Sequence, residues 1–152
     1  MRVIVQRCSR AKVIIDNKVR GSINKGLMIL VGFTEGDSEK EIEYMVDKII
    51  NLRIFDDSDG VMNLSLLDVD GSILSISQFT LYGDTSKGRR PSYIRALGGD
   101  KASKLYDLFN KKLKEKDIKV ECGIFGADMK VDFVNDGPVT IMLERENDNE
   151  KR

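Results

Sequence analysis

A glycine–proline step stands between two strand-like runs near the end of this chain of 152 residues. Pro138 is one of only two prolines, and it follows Gly137 where the run Met129 to Val134 stops and the run Val139 to Leu143 begins. Proline has no N–H for a sheet ladder and fixes φ, so it belongs at an edge, a bend or a turn. Glycine adopts dihedrals that are closed to other residues. The pair predicts a rigid bend whose carbonyls point in fixed directions, which suits a protein that reads ligand shape without side chains.

A second cluster of polar residues stands at the end of an apolar run, Ser75-Ile76-Ser77-Gln78-Phe79-Thr80-Leu81. We predict a central strand from Ser72 to Leu81, whose two faces carry Ser77 with Phe79 and Gln78 with Thr80. Polar atoms at a strand end need partners, and a ligand could supply them. The alternative is that Phe79 and Thr80, which favour strands, only complete a buried strand.

Thr80 is a candidate nucleophile, but the chain contains no histidine. No histidine or N-terminal amine is in view to activate the hydroxyl, so covalent catalysis through Thr80 is disfavoured. We interpret Thr80 as a hydrogen-bonding group or a water positioner. Ser77 and Gln78 are interpreted as anchors for a ribose or a base edge, with backbone N–H groups of the same segment facing a developing oxyanion.

Together the two segments resemble the signature motifs of the D-aminoacyl-tRNA deacylase family, Ser-Gln-Phe-Thr and Asn-x-Gly-Pro-Val-Thr. The resemblance runs nearly end to end, with shorter matching stretches at Met1 to Arg7, Leu52 to Phe55, Gly60 to Asn63, Arg90 to Tyr93 and Phe125 to Met129. It implies a homodimeric tRNA-editing hydrolase without a cofactor. The substrate would be the tRNA 3′ acceptor end carrying a D-amino acid, or glycine mischarged on tRNA-Ala.

The resemblance also implies where the site lies. It places the chemistry at Ser77, Gln78, Phe79 and Thr80, in a cleft between subunits. It implies a cis bond between Gly137 and Pro138, although the sequence itself leaves cis and trans open. One subunit would insert this step into its partner's cleft, where the carbonyls exclude an L-side chain. The resemblance further implies that Phe125, Met129 and Ala102 line the pocket. It also implies that Arg7 helps to hold the Gly-Pro loop.

Charge and composition narrow the class of partner. The chain has 25 basic and 25 acidic residues, so it lacks the basic excess of proteins that coat long nucleic acid. The short single-stranded end of an RNA needs only a local patch. The basic loop Lys87 to Arg90 is either a solvated loop or a grip for phosphate, and both interpretations stay open. The lysines that end the second predicted helix are interpreted as a solvated face.

Metal and membrane chemistry are not expected. Cys8 and Cys122 cannot make a four-ligand zinc site without histidine, and we interpret both as free thiols. The acidic run Asp56 to Gly60 lacks a glutamate at the twelfth position of a calcium loop, so it is interpreted as a solvated turn. No apolar run has the length of a membrane span or a signal peptide, and we expect a cytoplasmic protein.

The elements predict an α+β fold, which is a mostly antiparallel, barrel-like sheet with two amphipathic helices packed outside. Ser38 and Glu41 fit a capping box at the start of the first helix, and the second helix is predicted for Asp100 to Lys116. A hairpin is predicted around Asp16-Asn17-Lys18. We expect one deacylase domain over residues 1–145 and a polar, frayed tail over 146–152.

Two other functions remain open from the sequence. The missing general base is compatible with a module that binds RNA ends or small ligands without turnover. A weaker possibility is a hydrolase of some other small ester, which would act on substrates that lack RNA.

Overall fold

The computed structural model describes residues 1–147. Within that range the chain forms eight strands and two α-helices. In chain order they are β1 (Arg2–Ile15), β2 (Lys18–Ile23), β3 (Gly26–Gly32), α1 (Glu39–Asn51), β4 (Phe55–Asp56), β5 (Met62–Leu64), β6 (Ser72–Ser77), α2 (Gly99–Lys114), β7 (Val120–Cys122) and β8 (Lys130–Glu144). A short 3₁₀ turn, Phe79–Tyr82, follows β6.

Strand β1 organises the main sheet. It pairs antiparallel with β2, β3 and β8. The sheet then continues from β3 to β6 and β7 through parallel pairs. The far strands approach each other, because a Cβ built on Gly21 of β2 would lie 3.1 Å from the Cβ of Glu121 in β7. The prediction of a barrel-like α+β fold with two helices is confirmed.

Both helices bury one face against the sheet. In α1 the predicted capping box is present, since the Ser38 N–H donates to Glu41 Oε2 at 2.7 Å and the Lys40 N–H donates to Ser38 Oγ. In α2 the fully buried apolar side chains include Tyr106, Phe109 and Leu113. They join the core cluster built on β1 and β3.

Two predicted strand boundaries are wrong. The predicted strand from Ser72 to Leu81 ends at Ser77, so its proposed alternation of faces across Phe79 and Thr80 does not exist. The Gln78 N–H donates to the Val31 carbonyl at 2.7 Å as the last rung, and β3 then stops at Gly32. Without a neighbouring strand to continue the ladder, the chain turns.

The two runs on either side of Gly137 form one strand, β8, instead of two. Gln6 of β1 pairs with Thr140, but Cys8 pairs with Asn135, so residues 136–139 bulge out of the ladder opposite Arg7. The Gly-Pro step therefore sits in a large bulge within a continuous strand.

The chain ends are held in place as far as the structure describes them. The Met1 ammonium is buried and pairs with Asp37 at 2.9 Å. Glu146 pairs with Arg95 at 2.7 Å, and Asn147 donates to the Gly36 carbonyl at 3.4 Å. Glu146 and Asn147 thus contact the body of the protein, whereas residues 148–152 lie outside the described part, and the fraying predicted for the tail stays a prediction.

Candidate active site

A cavity of about 410 Å³ opens where β6 ends. Its walls come from the end of β6, from the start of α2 and from the segment before β8. The lining residues are Ile76, Ser77, Gln78, Phe79, Leu97, Gly98, Gly99, Phe125, Gly126, Ala127, Asp128, Met129 and Val131. Asp128 is the only titratable side chain among them, so the cavity is mainly apolar with polar backbone at one end.

The polar end is the turn that follows β6. The Gln78 carbonyl accepts from the Leu81 N–H at 3.3 Å, which closes the turn. The first N–H groups of such a turn have no intrahelical acceptor. Among residues 1–147, the N–H groups of Phe79 and Thr80 donate to no protein acceptor, and both residues are exposed.

Close packing fixes this turn. A Cβ on Gly32 would lie 2.8 Å from the Gln78 carbonyl oxygen, so only glycine lets the turn approach β3 this closely. The Gln78 amide nitrogen donates to Thr80 Oγ1. Because the hydroxyl of Thr80 accepts that bond, its own proton remains available for a ligand or a water.

The opposite wall carries Phe125 and Met129, both half-buried. The ring of Phe125 packs against Tyr106 of α2, with centroids 6.1 Å apart. Tyr106 is buried and donates from its hydroxyl to the Ser75 carbonyl at 2.7 Å. Burial raises the pKa of Tyr106 to about 12, so it stays a donor at physiological pH. Tyr106 thus connects both walls of the cavity.

The Gly-Pro loop lies on the same chain but does not line this cavity. The peptide bond between Gly137 and Pro138 is cis, and both residues are exposed. The loop is held from beneath by Arg7, whose Nε donates to the Asp136 carbonyl at 3.0 Å. Arg7 is 7% exposed and also donates to the Ile54 carbonyl at 2.9 Å.

Side chains within the bulge close the loop on itself. The Val139 N–H donates to Asn135 Oδ1 at 3.1 Å, and the Asn135 amide donates to Thr140 Oγ1 at 3.0 Å. Gly137 has φ +127°, a conformation that L-residues rarely adopt. The backbone of this exposed loop is therefore held in one conformation.

The structure brings together five of the ten predicted site residues around one cavity, namely Ser77, Gln78, Phe79, Phe125 and Met129. Thr80 adjoins them through its contact with Gln78. Ala102 is buried at 2% exposure and does not line the cavity, and its contact with substrate stays a prediction. Arg7, Gly137 and Pro138 form a separate group. The basic loop Lys87 to Arg90 is exposed, and its role with phosphate stays a prediction.

Sequence reasoning missed Tyr106 and Gly32. Tyr106 stands at helical spacing with Ala102, Phe109 and Leu113, so periodicity could have placed it on the buried face. Nothing local marks Gly32, because its importance comes from a turn that packs on it from a distant part of the chain.

Within residues 1–147 no three His, Cys, Asp or Glu side chains are placed to hold a metal ion. Both cysteines are free, and burial raises the pKa of the Cys8 thiol to about 11. No helix in the described range is long and apolar enough to span a membrane.

The chain is similar over nearly its full length to proteins named as tRNA deacylases. The family described as D-Tyr-tRNA(Tyr) deacylase matches residues 4–144. The D-aminoacyl-tRNA deacylase of Clostridium tetani is 59% identical over 144 residues, which cover 95% of this chain and 97% of that protein. The enzyme of the same name from Thermosipho melanesiensis is 56% identical over 145 residues, with 95% and 97% covered.

Two solved structures share the fold. One is described as a c-Myc DNA unwinding element binding protein, with a TM-score of 0.91 and 38% identity over 97% of this chain and 100% of that one. The other is described as a probable eukaryotic D-amino acid tRNA deacylase, with a TM-score of 0.79 over 93% of this chain and 97% of that one. At 22% identity this second likeness shows the fold alone.

Proposed function

The chain belongs to the D-Tyr-tRNA(Tyr) deacylase family, and from this premise we propose that it hydrolyses D-aminoacyl-tRNA at a site completed by a second copy of the chain. Membership makes it an aminoacyl-tRNA ester hydrolase. The proposal concerns how residues 1–145, as one deacylase domain, perform and restrict that reaction. Its substrate places the reaction in the cytoplasm, where aminoacyl-tRNA is made and used.

The observation that carries the proposal is the pair of adjacent N–H groups, on Phe79 and Thr80, without a protein acceptor at the cavity mouth. An aminoacyl ester is already activated, so positioning and oxyanion stabilisation supply the catalysis. Water attacks the ester carbonyl with help from the ribose 2′-hydroxyl. The two N–H groups stabilise the charge that develops on the carbonyl oxygen, and Thr80 positions the water.

The second copy supplies the chiral filter. In a single chain Gly137 and Pro138, with their carbonyls, lie outside the chain's own cavity, and both residues are exposed. When they enter the partner's cavity, they fill the space of an L-side chain, so the enzyme rejects L-substrates instead of recognising D-side chains. Glycine has no side chain to reject, and glycyl-tRNA mischarged on tRNA-Ala is therefore also a substrate.

The surface around the loop supports a partner. Strand β8 spans 15 residues and pairs only with β1 among the described elements, so its other edge is open. Met142 and Val134 on this strand are 64% and 41% exposed, and Phe79 at the cavity is 54% exposed. Long open edges with exposed apolar side chains favour association.

The test uses matched D- and L-aminoacyl-tRNA at equal concentration, with glycyl-tRNA as a third substrate. We expect hydrolysis of the D-ester and the glycyl ester, with the L-ester spared. Equal hydrolysis of D- and L-esters would contradict the filter. Sedimentation at assay concentration gives the oligomeric state, and an active, selective monomer would remove the shared site.

A second candidate is binding to nucleic acid without turnover, favoured by the name of the 38% identical structure, which refers to a DNA element. The assay separates the two. D-aminoacyl-tRNA that is bound but intact after long incubation would favour the binding module. Activity on simple D-amino acid esters that lack RNA would instead favour a general esterase.

A further inference from the structure

A second, larger cavity adjoins the first at Phe125. It has a volume of about 640 Å³ and is formed by α2 and the segment Cys122 to Phe125. Among residues 1–147, Phe125 is the only residue that lines both cavities. A chain molecule whose end occupies the first cavity and that leaves past Phe125 would enter the second.

Asn110 leaves an acceptor unused at this second cavity. It is 7% exposed and lines the cavity, and its Oδ1 has no hydrogen-bond partner among residues 1–147. The Asn110 side chain also acts to lower the pKa of Tyr106, against the effect of burial. Buried polar atoms are nearly always paired, so this one needs an explanation.

The lysines of α2 differ in their pairing. Lys112 faces α1 and pairs with Glu39 at 2.8 Å and Glu43 at 3.2 Å. Lys111 and Lys114 line the second cavity, and neither forms an ion pair within the described chain. The positive charge of Lys114 reaches the cavity floor, where it acts to lower the pKa of Cys122 against the effect of burial.

These groups define a ligand with an amino group, a flat ring and a phosphate. Asn110 Oδ1 takes a donor, Phe125 offers an aromatic face and the two lysines take an anion. Asp107 also lines the cavity and lies one helical turn before Lys111, so the phosphate belongs nearer to Lys114, two turns from that carboxylate. The volume lies within the range of about 300–1,000 Å³ typical of small-ligand sites.

We propose that the second cavity binds the cytidylate that precedes the terminal adenosine of tRNA. Lys111 and Lys114 bind its phosphate, and Asn110 Oδ1 accepts from the cytosine amino group. This inference rests on the proposed function, because it extends the same bound RNA end by one nucleotide. It revises the interpretation of these two lysines as a solvated face.

The experiment compares D-aminoacyl esters of adenosine, of cytidylyl-adenosine and of uridylyl-adenosine. We expect KM for the cytidylyl ester to be roughly tenfold below that for adenosine, the effect of about one weak ion pair per lysine. Uracil presents a carbonyl where cytosine has its amino group, so the uridylyl ester should lose part of this gain. The double variant Lys111→Gln with Lys114→Gln should raise KM for the cytidylyl ester toward that of adenosine.

Lys116→Gln is the matched control, since Lys116 is exposed, lies just past α2 and does not line the cavity. Equal KM values for the three esters, or an equal effect of the control, would overturn the proposal. Calorimetric titration with the unesterified dinucleotide tests cytidylate binding separately from ester hydrolysis. Lysine-dependent binding of the dinucleotide without ester hydrolysis would refute the deacylase function alone. Hydrolysis of D-aminoacyl-tRNA without any gain from the cytidylate would refute only the proposal that the second cavity binds it.

Discussion

Arg7→Met tests whether one buried guanidinium holds the Gly-Pro loop. The Ile54 carbonyl, in a residue 6% exposed, would lose its donor, which costs about 1–3 kcal/mol of unfolding free energy. The contacts to Asp56 and Asp136 involve carboxylates that are 52% and 60% exposed, so they add only about 0–1 kcal/mol each. Methionine keeps most of the side-chain volume, which limits any cavity cost. We expect a loss of about 2–4 kcal/mol.

Urea unfolding followed by circular dichroism measures this loss, at fixed protomer concentration because an oligomer's stability depends on it. In a domain of this size the same loss lowers Tm by roughly 5–15 °C. Deacylation of matched D- and L-esters is measured below the transition, and we expect the L-ester to gain relative to the D-ester as the loop loosens.

Arg10→Met is the matched control on the same strand. Arg10 is 56% exposed and contacts only Asp132, at 3.6 Å, within the described residues. Its replacement should change stability by less than about 0.5 kcal/mol. If Arg7→Met were as stable as wild type, or if both variants lost the same amount, the guanidinium would not be the anchor of the loop.

Four further perturbations follow from the site and the thiols. Gly137→Ala places a Cβ 2.9 Å from Arg7 Nη2 at φ +127°, and we expect a strain of about 1–3 kcal/mol and reduced D/L selectivity in paired assays; wild-type selectivity would contradict the filter. Thr80→Ala should lower kcat only modestly. Mass spectrometry of the wild-type enzyme during turnover should show no acyl-enzyme, and a covalent adduct there would overturn the non-covalent mechanism. The pKa of Cys8 is raised from 9.0 to about 11, so the folded state holds this proton more tightly and stability falls as pH rises across that window. Cys8, which is buried, should react slowly with a thiol reagent at pH 8 until urea is added, and fast reaction of Cys8 in the folded protein would refute its burial.

The sequence predicts local structure correctly where a few neighbouring residues determine the conformation. Ser38 and Glu41 satisfy each other within one helical turn. Asp16 and Asn17 both have positive φ and join β1 to β2. The two site motifs were likewise visible as strings, and five of the residues assigned to the site do share one cavity.

Strand boundaries that depend on residues far away in the sequence could not be predicted in this way. Strand β6 ends because β3 ends beside it, and nothing near Ser77 encodes the length of β3. The bulge in β8 depends on Arg7, more than 120 residues earlier, so the two halves of β8 were read as separate strands. The second cavity combines α2 with a segment that has no regular structure, and only the assembled fold places Asn110 beside Phe125.

The pairing of β1 with β8 joins the beginning of the chain to its end, with Arg2 opposite Glu144. A ribosome adding about 5–20 residues per second therefore finishes β1 roughly ten seconds before its long partner emerges. During that interval one side of β1 is unpaired, and such distant pairing makes folding slow. The loop proposed to exclude L-substrates lies within β8 and is therefore synthesised long after β1, so no nascent chain carries a finished filter before the sheet can close.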